Sequence, residues 1–179
     1  MTLETKRLIL RPWLESDAES LYQYASSPDV GPIAGWPVHT SVENSLDIIR
    51  SVLSAPETYA VVLKDGGSAV GSVGLMIGQS SSIGLPDTEG EIGYWIGVPY
   101  WGRGLIPEAV KEMLRRGFMD LGLDKIWCGY FDGNVKSKRV QEKCGFRYQH
   151  TRENVPCSML DDVRTEHITC ITKEEWSVR

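Results

Sequence analysis

The sequence predicts an α+β fold, a mixed sheet with helices packed against it. Three observations carry this. Strand-like and helix-like runs follow in the order β-αα-β-β-β-α-β-α-β-β along the 179 residues. Two β-rich runs, TYAVVLK and SAVGSVGLMIG, are joined at Asp65-Gly66-Gly67 as a hairpin would be. Between later strands, Ile106, Ala109, Val110, Met113, Leu114, Gly117, Phe118 and Leu121 form one stripe at helical spacing. Interleaved elements of this kind build a sheet-and-helix layer system, and the length suits one domain over residues 1–179.

Each element has a local cause. Arg7 to Arg11 alternates like a strand and is bounded by Pro12. Glu15 to Ser26 sets Ala18, Leu21, Tyr22 and Ala25 at helical spacing, with Ser16 and Asp17 suited to its start. Val30 to Thr40 reads as a loop because its prolines break every period. Val42 to Leu53 reads as a second helix with Leu46, Ile49 and Leu53 on one face. After the hairpin, Gln79 to Thr88 is a polar loop and Glu91 to Val98 a strand. Lys125 to Phe131 is the next strand, followed by a short basic helix from Asn134 to Cys144. Gly145 then stands where a left-handed cap is wanted. FRYQH and VRTEHITCIT supply the last strands.

Composition narrows the function. A net charge of −5 and a pI near 5.3 fit poorly with sequence-independent binding of nucleic acid, which depends on phosphate neutralisation. No apolar run approaches the length that spans a bilayer, and the first residues contain no apolar leader segment. Cys128, Cys144, Cys157 and Cys170 form no CxxC, and no Cys/His group has zinc-ligand spacing, so no metal is expected. The expectation is a cytoplasmic, reduced protein without structural disulfides.

The stretch VPYWGRGLIPEAV asks for a ligand. Gly102-Arg103-Gly104 falls between a strand and the helix starting near Ile106. Bare glycine backbone and the unpaired N–H groups of a first helical turn together make an anion site. The alternative is a tight turn that binds nothing. Neither GxxxxGK[ST] nor GxGxxG is complete, so ATP and NAD are poorly supported.

Four ordered strings resemble the GNAT superfamily of acetyl-CoA-dependent N-acetyltransferases, specifically its RimJ/RimL-like branch. They are LETKRLILRPW, GWPVHTSVENS, EIGYWIGVPYWGRGLIPEA and GNVKSKRVQEKCGF, and ITKEEW near the end also fits. The resemblance implies the GNAT fold: a central mixed sheet, splayed between its fourth and fifth strands, with helices on both faces. It implies that backbone groups of Ile96, Gly97 and Val98, left unpaired by the splay, hold the pantetheine arm like an added strand. It implies that the N–H groups of Gly102, Arg103, Gly104 and Leu105 cradle the pyrophosphate. Pro99 departs from the superfamily's Arg or Gln at the start of this motif, as the branch tolerates. Asn134 and Ser137 match the family's Asn-x-x-Ser, Asn134 toward the pantetheine and Ser137 near the sulfur; each is equally readable as helix capping. Lys136, Lys138, Arg139 and Lys143 form a basic face, of which one or two residues would meet the 3′-phosphate.

An amine must lose a proton before it attacks a thioester, and the thiolate must gain one. Glu91 is the candidate base, opening the strand where related enzymes carry one, with Glu89 and His39 as rivals. In many family members the acid is a tyrosine seven residues after the Asn. That position is Gln141 here, so Ser137 is expected to take the role. Trp36 and His39 lie in the loop that borders the acceptor pocket in relatives. The implied activity is acetyl transfer from acetyl-CoA to a primary amine, a protein N-terminus or a small molecule, by direct attack in a ternary complex. The competing readings are an acyl-CoA-binding sensor of the same fold and a nucleotide-binding domain. Monomer and homodimer are both compatible with this length.

Overall fold

The computed structural model describes residues 1–178. Eight strands form one sheet: β1 (Leu3–Glu4), β2 (Leu8–Arg11), β3 (Thr58–Leu63), β4 (Ala69–Ile77), β5 (Glu89–Ile96), β6 (Lys125–Phe131), β7 (Arg147–Cys157) and β8 (Asp162–Thr172). Their order across the sheet is β1-β2-β3-β4-β5-β6-β8-β7. Every pairing is antiparallel except β5 with β6. That parallel pair needs a crossover, and the helix α4 (Leu105–Arg115) provides it. The expected α+β fold with a mixed sheet is the one observed.

Helices cover both faces. The predicted stripe on α4 buries Ile106, Ala109, Val110, Met113 and Leu114 against Val73, Leu75, Ile92 and Ile126 of the sheet. Each large side chain buried there is worth roughly 1.5–3 kcal/mol. Across the sheet, α1 (Ala18–Ala25) and the turn that extends α3 (Val42–Ile48) bring Leu21, Ala25 and Ile49 onto Ala60, Val62 and Ala69. Trp13 joins this second core and donates from its indole Nε1 to Ser72 Oγ at 3.2 Å.

The elements depart from expectation mainly at their ends. The helix expected over 15–26 opens with a tight turn at Glu15–Asp17, where Asp17 Oδ2 accepts from the Leu14 N–H at 2.9 Å. The helices expected over 42–53 and 106–121 run on from α3 and α4 as wider π turns at Ile49–Leu53 and Arg116–Asp120. The stretch 30–40, read as a loop, contains one helical turn, α2 (Gly31–Ala34). Its proline sits in the first turn, where a missing N–H costs nothing, and Gly35 closes it at φ 92°. Two further helices complete the chain: α5 (Val135–Cys144), closed by Gly145 at φ 93°, and α6 (Lys173–Ser177), opened by a Thr172/Glu175 capping box. All four cysteines are buried free thiols. No helix among the described residues is long and apolar enough to cross a membrane.

Candidate active site

The sheet parts between β5 and β6. On its β4 side, β5 keeps an unbroken register from Gly90↔Ile77 to Ile96↔Gly71. On its β6 side, pairing stops at Glu91↔Trp127. Thr88 C=O faces β6, accepting from Asp124 N–H at 2.8 Å, while Gly97 N–H faces β4, donating to Val70 C=O at 2.9 Å. Strand alternation between these markers turns the backbone groups of Tyr94 and Ile96 toward the gap.

This relocates part of the sequence expectation. Ile96, Gly97 and Val98 do not leave their carbonyls unpaired. Ile96 C=O accepts the Trp101 indole N–H at 2.9 Å. Gly97 C=O accepts Tyr100 N–H at 2.9 Å, and Val98 C=O accepts Trp101 N–H at 3.1 Å. The cause is the short turn Val98–Tyr100, in which the chain folds back on its own carbonyls. The open edge of β5 therefore lies earlier, at Tyr94 and at the Ile96 N–H.

The Gly102–Leu105 junction has a front and a back. Behind it, Arg7 of the stretch before β2 donates from its guanidinium to Arg103 C=O at 3.0 Å and Gly104 C=O at 3.2 Å. Arg7 is itself held by Glu108 of α4, Nε to Oε2 at 2.7 Å, and Glu108 Oε1 also takes the Arg7 N–H and the Thr5 hydroxyl. In front, the N–H groups of Gly102, Arg103 and Gly104 donate to no acceptor among the described residues. Leu105 adds an N–H from the first turn of α4, which no intrahelical carbonyl can pair. Gly102 and Gly104 adopt φ 74° and 73°, a conformation that disfavours a side chain. Pinned carbonyls and bare amides are the arrangement an anion needs.

At the mouth of the gap, Asn134 is the N-cap of α5, its side chain accepting Ser137 N–H at 3.1 Å. Ser137 Oγ lies 3.0 Å from the Tyr94 hydroxyl and accepts Gln141 Nε2 at 3.2 Å. Gln141 is 1 % exposed and fully engaged, donating also to Gly129 C=O at 3.0 Å and accepting the Thr169 hydroxyl at 2.8 Å. Burial pushes the Tyr94 hydroxyl well above its ordinary value, so it stays protonated and able to donate. Sequence reading missed Tyr94 as a partner of Ser137. The signal was available, since Tyr94 alternates with the buried Ile92 onto the face that α5 covers. Lys136, from the basic face of α5, lies over the Trp101 ring at 3.4 Å from its centroid.

On the opposite face stand Glu91 and the 30–40 loop. Glu91 is 7 % exposed; its Oε2 takes the Ser82 N–H at 2.6 Å and its Oε1 the Ser82 hydroxyl at 2.8 Å. The carboxylate thus fastens the loop between β4 and β5. Glu89 is committed to the Trp127 indole at 2.6 Å and to Lys125 at 3.2 Å. His39 is buried, bonds Ser45 Oγ through Nδ1 at 2.8 Å, and is held below its ordinary pKa by that burial. Trp36 packs edge-on against Trp95 at 5.8 Å and His39 at 5.5 Å. Trp36 and Trp95 thus bring the loop and β5 together on the face of β5 that Glu91 shares.

The chain and its fold have counterparts in known proteins. Residues 7–147 match the family model described as an acetyltransferase (GNAT) domain. A relative in Bacillus licheniformis, named Uncharacterized N-acetyltransferase p20, is 30% identical over 152 residues, which span 82% of this chain and 82% of that protein. The crystal structure of a GNAT-family acetyltransferase from Bacillus anthracis aligns with a TM-score of 0.85 at 24% identity, covering 98% of this chain and 100% of that one. The Microcin C7 self immunity acetyltransferase MccE, solved with acetyl-CoA and AMP, aligns with a TM-score of 0.72 at 16% identity, covering 94% and 93%. By the family match and by this level of identity to an N-acetyltransferase, the chain belongs to the GNAT acetyltransferases and is an acetyltransferase enzyme.

Proposed function

We propose that this enzyme, of the RimJ/RimL-like branch, transfers the acetyl group of acetyl-CoA to a primary amine by direct attack in a ternary complex. The observation that carries the reading is the junction with its carbonyls tied to Arg7 and its amides bare. Gly102, Arg103, Gly104 and Leu105 take the pyrophosphate on those amides. The pantetheine arm lies along the open edge of β5, pairing with Tyr94 and Ile96 as an added strand would. Asn134, already a cap, borders the arm, and the oxyanion of the tetrahedral intermediate meets the Ile96 N–H.

The departing thiolate faces the Ser137 and Tyr94 hydroxyls. A thiol pKa of about 8.5 makes this a modest proton demand, within reach of a hydroxyl pair. Tyr94 thereby supplies the tyrosine that the sequence lacks at Gln141. The base stands on the other face, where the sheet presents Glu91 and Glu166. Trp36 and His39 shape the acceptor side, for a protein N-terminus or a small amine. Residues 1–179 act as one unit in a reduced, cytoplasmic setting.

Calorimetric titration with acetyl-CoA, followed by thiol release with peptides and small amines, tests the reading. Micromolar binding and amine-dependent release are expected. Binding without release on any amine would favour an acyl-CoA sensor. No binding at all would end the account.

A further inference from the structure

The base can be chosen from the way the sheet is cut. Glu166 is on β8, opposite Phe131 of β6 and Arg152 of β7. It is 9 % exposed. Its carboxyl does not stay over its own strand pair. It lies back across Gly129 of β6, where an added Cβ would sit 2.4 Å from Oε1 and 3.1 Å from Cδ. Any other residue at 129 would push the carboxyl away. Gly129 is two positions beyond Trp127, the last β6 residue paired with β5, so the carboxyl rests beside the gap itself.

The two oxygens differ. Oε2 accepts Arg152 Nη1 at 3.2 Å, while Oε1, the one above Gly129, takes no hydrogen bond among the described residues and keeps access to solvent. Glu91, by contrast, has both oxygens on Ser82. A cleft of about 420 Å³ opens on the same face, lined by Ile83, Leu85, Trp127, His150 and Arg152.

We propose that Glu166 accepts the proton of the attacking amine and that Glu91 holds the acceptor-side loop in place. The proposal rests on the amine-acetylating function above and names the acceptor as a group that arrives as an ammonium. The ammonium gives one proton to Glu166 Oε1, from which it passes to solvent. The freed lone pair forms the C–N bond at the acetyl carbon, its carbonyl electrons moving onto the oxygen; collapse of that tetrahedral oxyanion breaks the C–S bond. The nitrogen sheds its second proton to Glu166 Oε1, free again once the first has passed to solvent, and the thiolate gains one from the Ser137–Tyr94 hydroxyls, which solvent reprotonates. Burial and the facing Glu91 carboxylate raise the proton affinity of Glu166, against the pull of Arg152, which suits a proton acceptor. Those two groups, with Cys128 on β6, are the ones that sense its charge.

The test uses the intact chain, acetyl-CoA, and a panel of peptides with free N-termini and small diamines. Glu166→Gln is expected to lower kcat/KM for the amine about 100-fold with acetyl-CoA affinity unchanged. The deficit should shrink as pH approaches the amine's own pKa, where no base is needed. Gly129→Ala gives a second route. Its clash is with the far end of a flexible side chain, so the fold should hold while the carboxyl is displaced, and turnover should fall about tenfold. Glu91→Gln should act mainly on the amine KM. Parental turnover in either the Glu166 or the Gly129 variant would overturn the assignment. If the parent binds acetyl-CoA but acetylates no member of the panel, Glu166 loses its role while the cofactor site stands. If the parent binds no acetyl-CoA, it is the transferase reading that falls.

Discussion

The Gly102–Leu105 junction and the cleft above β6 flank the same opening in the sheet, yet they are built from different material. The junction is backbone: bare N–H groups in front, carbonyls bound to Arg7 behind. The cleft and its surroundings are side chain: Trp127 and Arg152 line it, bonded to Glu89 and Glu166, and Glu91 on the same face is bonded to Ser82. A backbone site depends on conformation and tolerates most side chains at its edge. A side-chain site depends on which atoms have a partner already. The difference teaches where specificity is stored: in the proposed function, the donor would be gripped by what every residue has, the acceptor by what only a few residues carry.

The largest expected effect breaks the backbone half. Gly104→Trp forces a bulky side chain onto the junction at φ 73°, its Cβ 3.7 Å from the Arg7 guanidinium that holds the junction in shape. The left-handed conformation costs about 1–2 kcal/mol in stability, less than the roughly 5–15 kcal/mol that holds a domain folded. Acetyl-CoA affinity should fall more than 100-fold by calorimetry, while the melting curve stays cooperative. Undiminished affinity would mean that the junction is only a turn.

A smaller effect is expected at the seam between the halves. Tyr94→Phe removes the hydroxyl that meets Ser137 at 3.0 Å. Single-turnover acetylation should slow about tenfold with acetyl-CoA affinity within twofold. An unchanged rate would leave Ser137 to act without Tyr94.

The smallest lies outside both halves and sharpens the contrast by touching neither. Glu57 bonds Arg116 through both oxygens, at 2.9 and 3.2 Å, and both side chains are largely buried. The Arg116 hydrogen bonds hold the Glu57 carboxyl below its ordinary 4.5. A carboxylate lowered on folding stabilises the native state above its unfolded pKa, and the contribution fades as pH drops through the folded value. Glu57→Gln should therefore cost about 2 kcal/mol at pH 7, roughly 5 °C in Tm. The gap from the parent should narrow as pH falls through the lowered carboxyl pKa of the folded protein, with acetyl-CoA affinity unaltered at neutral pH.

The same contrast explains what could be read beforehand. The strand–glycine–helix order around Gly104 and the stripe on α4 depend on local periodicity and on backbone freedom, which neighbouring letters report. Asn134 was legible as a cap for the same reason. Tyr94 beside Ser137 joins residues 43 apart, and Arg7 reaches Gly104 across 97, so only the folded chain brings them together. Glu166 was invisible for a further reason. Its meaning lies in Gly129, a glycine in mid-strand that reads as a weakness of β6 until the carboxyl above it is seen. The carbonyls of Ile96, Gly97 and Val98 could not be read as occupied, because the turn at Val98–Tyr100 and the Trp101 indole that take them are set by the fold.

The Arg7 clamp has a consequence for how the molecule breathes. One guanidinium spans the outer hairpin, the junction and α4, so fraying of that sheet margin and slackening of the junction become a single event. Linkage then runs both ways. Whatever fills the junction also damps the opening of the first strands, and amide exchange at Leu8 to Arg11 becomes a remote gauge of occupancy.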